Sequence, residues 1–252
     1  MLCGLLMLAA APERGAGQAP AAAVAGFNVY VGGVEARLGV QHSSASAFLA
    51  AEDSGRMRGG DVVVEQVAPV GGLPGALLHH WRGTGFVAGG KAADFERLLK
   101  DFKAYPKDFA PQVLEAKVLG QDGDRLRGWM RVRQKHVITV VMDTTYDIAF
   151  GQLDGSHGYS ISESTRVDEI DGAGTSVERR LSAKEEHGFL WRLNTYWSYE
   201  ERDGGLYLQI EAVSLTRAIP TGLGWAIRPY VESIPRESLE FTLRSACNAI
   251  RK

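Results

Sequence analysis

From Trp191 to Arg217 the chain runs WRLNTYWSYEERDGGLYLQIEAVSLTR, two alternating stretches that meet at Asp203-Gly204. Both central positions of a two-residue hairpin turn need positive φ, which aspartate tolerates and glycine adopts freely, so this pair predicts one long antiparallel hairpin. Counting outward from the turn sets Trp197 opposite Ile210, Tyr199 opposite Leu208 and Thr195 opposite Ala212 on one face. Tyr196 with Glu211, Ser198 with Gln209 and Glu200 with Tyr207 fall on the other. The first face is the apolar one, so Trp197, Tyr199, Leu208 and Ile210 are assigned to the inside of the sheet and Tyr196, Gln209 and Glu211 to the outside. A slip of one residue would invert this and bring Gln209 and Glu211 inward as a polar clamp.

The stretch IPRESLEFTLRSACNAIRK closes the chain. In it Leu239, Leu243, Ala246 and Ile250 recur at helical spacing, which lays one apolar stripe along a terminal helix. Gly222 to Ile234 reads as a short helix kinked or broken near Pro229, with Ser233 then an N-cap and Pro235 among the first residues of the final helix. A long hairpin that hands its chain to such a helix predicts a curved sheet folded around it.

Upstream, Phe27, Val31, Val34 and Leu38 mark a weak helical pattern between Ala22 and Ala51, interrupted by Gly32-Gly33. Asp61 to Val67 reads as a short strand, separated by the cluster VGGLPG from a better one at Ala76 to Val87. Lys91 to Phe102 is an amphipathic helix with Phe95, Leu98, Leu99 and Phe102 on one side, and Tyr105-Pro106 ends it. Strands follow at Val113 to Leu119, Arg125 to Arg133, His136 to Phe150 and Tyr159 to Ile170. The polar segment Gly172 to His187 reads as a mobile loop.

Leu2 to Ala11 is apolar yet too short to span a bilayer, and the small-residue stretch GAGQAPAAA follows it. The pattern is that of a signal peptide over residues 1–19, although no basic residue precedes the apolar run, so we expect a periplasmic or secreted protein. Cys3 heads that run, which argues against a lipid anchor. Loss of the leader would leave Cys247 alone, so stability must come from the core and not from an internal disulfide; Cys247 itself is expected to be a buried, inert thiol. With 45% hydrophobic residues in 252, a full core is within reach. A formal charge of −2 gives no global reason to expect a nucleic-acid partner.

The order strand, helix, helical turn, antiparallel strands and terminal helix resembles the START-like or Bet v 1-like superfamily, also known as polyketide cyclase/dehydrase and lipid-transport proteins. The resemblance rests on HHWRGTGF leading into KAADFERLLKDFKAYPKDFAP, on the strand series, and on the terminal helix after AIPTGLGWAIRPYVESIPRESL. It implies an α+β helix-grip fold, a curved antiparallel sheet wrapped around a long C-terminal helix over residues 76–252, with an apolar cavity between them. Residues 20–75 then form an N-terminal extension, a helix plus a short strand, covering an edge or mouth. The implied partner is a hydrophobic small molecule or a lipid. The superfamily's cyclases use scattered cavity residues, so the resemblance hands over no catalytic set.

Alternation along the strands nominates Met130, Val132, Tyr159, Ile161, Glu163, Trp197, Tyr199, Leu208 and Ile210 as cavity residues, opposite Leu239, Leu243 and Ala246. Glu163 shares a phase with Tyr159 and Ile161; an inward carboxylate there would have a raised pKa and suit a general acid, whereas near a strand end it would simply be solvated or paired. On the strand from Arg125 to Arg133, Arg125, Arg127, Arg131 and Arg133 share a face with Trp129. That face fits an anionic membrane surface or an acidic partner, or else a solvated convex surface paired with acids on neighbouring strands. His79 and His80 point to opposite faces and cannot form a local metal pair, and no HxH, HExxH or CxxC spacing accompanies the other histidines. Neither a metal nor a cofactor is expected: GTGFVAGG matches neither GxGxxG nor a Walker loop, and YSISEST lacks a GxSxG elbow. Three functions remain open: an exported carrier or binding protein for a hydrophobic ligand; a cyclase, dehydratase or isomerase using Glu163 with Tyr159 or Tyr199; and a non-catalytic envelope or partner-binding module.

Overall fold

The computed structural model describes residues 17–50, 54–135, 139–219 and 224–251. The apolar run Leu2 to Ala11, Cys3, His136 and Gly222 lie outside the described residues. Helix α1 (Ala21–Gln41) and the single turn α2 (Ser54–Arg58) precede strands β1 (Val63–Leu73) and β2 (Ala76–Ala88). Two short helices follow, α3 (Ala92–Lys100) and α4 (Tyr105–Asp108). The strands β3 (Val113–Asp122), β4 (Arg125–Lys135), β5 (Thr139–Asp154), β6 (His157–Asp171), β7 (Arg179–Arg180), β8 (Arg192–Arg202) and β9 (Gly205–Arg217) lead to the terminal helix α5 (Gly224–Ile250). Strand order is β1-β2-β9-β8-β6-β5-β4-β3, antiparallel throughout, with β7 against β6.

The β8–β9 hairpin turns at Asp203 (φ 56°) and Gly204 (φ 74°), and its register is the one that the turn dictates. Trp197 pairs with Ile210, Tyr199 with Leu208 and Tyr196 with Glu211. Two glycines of β2 let α5 press onto the sheet: a Cβ on Gly83 would come within 2.5 Å of Leu239 Cδ2, and one on Gly85 within 3.2 Å of Cys247 Sγ. A side chain at Gly83 would force Leu239 to shift and one at Gly85 would crowd Cys247, so the close seating of α5 depends on bare backbone here. Phe95, Leu98 and Leu99 of α3 complete this core with Trp197, Tyr199, Leu208, Leu243 and Ala246. The fold is an α+β helix-grip.

The opposite, convex face of the sheet is also buried. Phe27, Val31, Val34 and Leu38 of α1 pack on Leu78, Tyr196, Val213 and Leu215. The strands β2, β8 and β9 therefore have no solvent face along most of their length, and ten of the first eleven residues of β9 are buried. This changes the meaning of the hairpin's outer face: Tyr196, Gln209 and Glu211 do lie outside the grip, yet each is at most 2% exposed because α1 and the turn after it cover them. The N-terminal segment thus covers a face of the sheet, while β1 extends the sheet beside β2.

Three further expectations are corrected. The terminal helix runs unbroken from Gly224 through Pro229 and Pro235, so Ser233 is an interior residue and not an N-cap. Strand β1 continues to Leu73 across the glycine cluster, and the turn falls at Pro74-Gly75, where Gly75 has φ 71°. The segment 172–187 is pinned, not free: it carries β7, Glu178 meets Arg131 at 2.7 Å, and Arg179 is paired with Glu185 at 2.9 Å. At its end the buried Glu169 carboxylate accepts the N–H groups of His187, Gly188 and Phe189.

Candidate ligand cavity

Between the concave face and the helices lies a cavity of about 260 Å³. Its roof is Phe102, Tyr105 and Phe109 on one side and Ile234, Ser238 and Leu239 of α5 on the other. Its walls are Met130 and Val132 of β4 and Met142, Tyr146, Ile148 and Phe150 of β5, inward positions of those strands. The floor is different in kind. Ser160 and Ser162 of β6, Thr195 of β8 and Ser214 and Thr216 of β9 put hydroxyls where the walls have hydrocarbon. A short side chain leaves volume above it, so serines and threonines on the floor make the space that aromatic residues on the walls enclose.

Among the described residues, none that lines this cavity is charged or is a histidine. The two phenols there are kept protonated: burial raises Tyr105 and pushes Tyr146 up to about 12. Tyr105 donates its hydroxyl hydrogen to the Leu99 carbonyl at 3.0 Å, which fixes the roof. At the rim the Gln134 amide donates to Ser238 Oγ at 2.9 Å, a neutral bridge between β4 and α5.

Of the nominated residues, Met130, Val132, Trp197, Ile210 and Leu239 line the cavity. Tyr199, Leu208, Leu243 and Ala246 sit further along the same face in closed packing, Tyr199 edge-on to the Phe95 ring at 5.2 Å. Tyr159, Ile161 and Glu163 are on the opposite face, which corrects their assignment. Ser160 pairs with cavity-lining Trp197 and Ile161 with Tyr196, so the inward phase of β6 is the serine one. Tyr159 stacks on the His42 ring at 4.3 Å, Ile161 packs under α1, and Glu163 is exposed. Partial desolvation, with Glu35 and Asp147 nearby, raises the Glu163 carboxyl, but it faces away from the cavity and cannot serve as an acid there. The large residues of β6 point outward because α1 gives them a second core; the signal for the inward phase was the run of small polar residues at alternate positions.

The arginines of β4 are largely answered by acids. Arg131 is held by Asp143 at 2.7 Å and by Glu178, and Arg127 lies 3.2 Å from Asp147. Arg133 donates to the Pro111 carbonyl, and Arg125 is exposed. His80 and His79 do point to opposite faces, His80 to Glu211 and His79 to Thr216. Among the described residues no three His, Cys, Asp or Glu side chains converge as metal ligands would. Cys247 is buried and its thiol is pushed up to about 11 by desolvation, so it is not poised as a thiolate.

Under α1 lies a second polar cluster, separated from the cavity by the sheet. Glu211 accepts hydrogen bonds from His80 Nε2 at 2.8 Å, Arg82 Nε at 2.9 Å and Arg37 Nη2 at 2.5 Å. Burial pushes its carboxyl up, but the His80 hydrogen bond and the Arg82 and Arg37 charges outweigh that and hold it at about 2. Tyr30 Oη bonds His80 Nδ1, and Tyr196 donates to Glu35. His42 Nε2 meets Ser198 Oγ at 2.7 Å, with the imidazole lowered to about 4 by burial, too weak a base at neutral pH to activate that hydroxyl. Every charge in the cluster has a partner, so it acts as a clasp for α1.

No family model matches the chain, and no curated protein does. Solved structures are similar to it at the level of fold. A STAR-related lipid transfer protein from Xanthomonas axonopodis shares 15% identity over 76% of this chain and 99% of its own, with a TM-score of 0.47. A START superfamily protein from Mycobacterium smegmatis gives 15%, 68%, 97% and 0.45, and the Zhui aromatase/cyclase from Streptomyces gives 14%, 69%, 92% and 0.44. The chain's own topology defines the fold as a helix-grip: an antiparallel sheet with two small helices after its second strand and a terminal helix in its concavity. Such a fold leaves the identity of any ligand, and any reaction, to the cavity residues themselves.

Proposed function

We propose that this protein is a binding or carrier protein for a hydrophobic small molecule or lipid, held between the sheet and α5. The observation that carries the reading is the cavity of about 260 Å³, uncharged among the described residues and walled by aromatic and aliphatic side chains under the terminal helix. The similar structures include a protein described as lipid transfer and one described as aromatase/cyclase, and both descriptions fit an apolar guest. An acid-base enzyme gains no support from Glu163, which is exposed on the far face. Contact of Arg125, Arg127, Arg131 and Arg133 with an anionic surface gains none either, because Arg127 and Arg131 are already paired within the sheet.

The test is titration with phenylnaphthylamine, a neutral apolar fluorophore, together with mass spectrometry of solvent extracts from purified protein. Saturable fluorescence enhancement that Thr195→Trp or Ser162→Phe abolishes, by filling the floor, is the expected result; enhancement indifferent to both would place the dye elsewhere and overturn the reading. We also propose that the protein is exported, from the apolar run and small-residue stretch before α1. N-terminal sequencing of the protein from fractionated cells tests this, and an intact Met1 in the cytosolic fraction would sink it.

A further inference from the structure

Strand β2 shows the sheet's concave side two residues at a time. Gly83 and Gly85 face α5, so Trp81 and His79 fall on that same side. Neither side chain lines the cavity itself, but both adjoin it: their partners on β9 are Ala212 and Ser214, which line it, and His79 Nε2 lies 3.1 Å from Oγ1 of Thr216, which lines it too. His79 is fully buried. Yet His79 Nδ1 and Trp81 Nε1 are buried polar atoms with no hydrogen-bond partner among the described residues.

Such atoms are rare in folded proteins, and each costs about 1–3 kcal/mol when left unanswered. Here two stand on neighbouring same-face positions of one strand, about 7 Å apart along it. The contrast with the other side of the sheet is sharp. There Glu211, His80 and His42 are each answered at 2.5–2.9 Å. Packing that answers the buried carboxylate and imidazoles under α1 and leaves these two atoms open beside a cavity points to a partner that arrives from outside.

We propose that His79 and Trp81 form the polar end of the ligand site and take the uncharged, oxygen-bearing end, a hydroxyl or a carbonyl, of an otherwise apolar molecule. This rests on the reading of the cavity as a ligand site. The indole N–H only donates, so it requires an acceptor oxygen. With Thr216 on Nε2, His79 Nδ1 donates or accepts according to tautomer; a carbonyl suits the first case and a hydroxyl the second. A carboxylate or phosphate would be costly. Burial lowers His79 to about 4, leaving it neutral at physiological pH, and among the described residues no cation lines the cavity to pair with an anion. The hydroxyls of Ser214 and Thr216 extend the same uncharged polarity along the floor.

The experiment measures displacement of phenylnaphthylamine by octanol, an octanone, octane and octanoate, in the unmodified protein and in His79→Leu and Trp81→Phe. The expected result is that each substitution weakens octanol and octanone by about tenfold, the worth of one good hydrogen bond, while octane and the dye change by less than about twofold. Octanoate at neutral pH should compete worst of the oxygenated probes. Equal weakening of all four, or no weakening, would overturn the polar anchor while leaving cavity binding intact. If no probe binds the unmodified protein, the ligand reading fails and takes the anchor with it. Should His79→Leu fail to fold, Trp81→Phe, which removes the indole N–H and keeps an apolar ring, decides the matter.

Discussion

Single side chains carry more of this molecule's behaviour than its modest net charge suggests. Glu211 is 2% exposed and serves as counter-charge to Arg37 and Arg82 and acceptor for His80. Glu211→Gln would strand those cations, and removing one member of a buried ion cluster typically costs about 3–5 kcal/mol. A drop of that order in urea unfolding free energy at neutral pH is expected. The titration windows differ by residue. His42 and His79 have folded pKa values lowered from 6.5 to about 4, so the unfolded chain binds more protons between those limits and stability falls as pH drops through them. Glu211, lowered from 4.5 to about 2, adds a further loss as pH falls through that lower window. Unfolding free energy measured against pH should therefore decline from near pH 6.5 downward, and His42→Asn should flatten the upper part of the curve and leave the part below pH 4 unchanged.

Among the elements, the hairpin was the most legible, because Asp203-Gly204 fixes both turn type and register by a local requirement for positive φ. Gly204→Val should cost about 1–2 kcal/mol through that requirement, read from the denaturation midpoint, while Asp203→Gly should be tolerated. Cavity residues on β4, β8 and β9 were readable for the same reason: Met130, Val132, Trp197 and Ile210 follow from alternation once the register is set. Strand β6 was not readable from side-chain size, since its larger residues lie on the outer side of the sheet. There α1 supplies a second apolar layer, so Tyr159 and Ile161 are buried outward while Ser160 and Ser162 look inward. Likewise Pro229 and Pro235 signalled a break in α5 that the packing of its later turns on β2 overrides. That packing depends on bare backbone at Gly83, so Gly83→Val should push Leu239 and Leu243 away and destabilise the fold by about 1–3 kcal/mol, measured by thermal unfolding.

For the whole molecule the decisive feature is three layers where a helix-grip sheet needs two: α1, sheet, and α5 with its cavity. The outer layer contributes nothing to the cavity lining, but it covers Leu78, Tyr196, Val213 and Leu215. A chain beginning at Ser44 should therefore expose a broad apolar surface and elute from size exclusion as aggregates. The two helices also differ in self-sufficiency. Gly26, Gly32, Gly33 and Gly39 lie within α1, each costing about 1 kcal/mol against alanine, so α1 holds its shape only while seated on the sheet. Amide hydrogens in α1 should accordingly exchange sooner than those of β8 and β9, and sooner still once acid neutralises Glu211. Acid would reach both sides of the wall in one window, since His42 beneath the coat and His79 beside the chamber gain their protons at higher pH than Glu211.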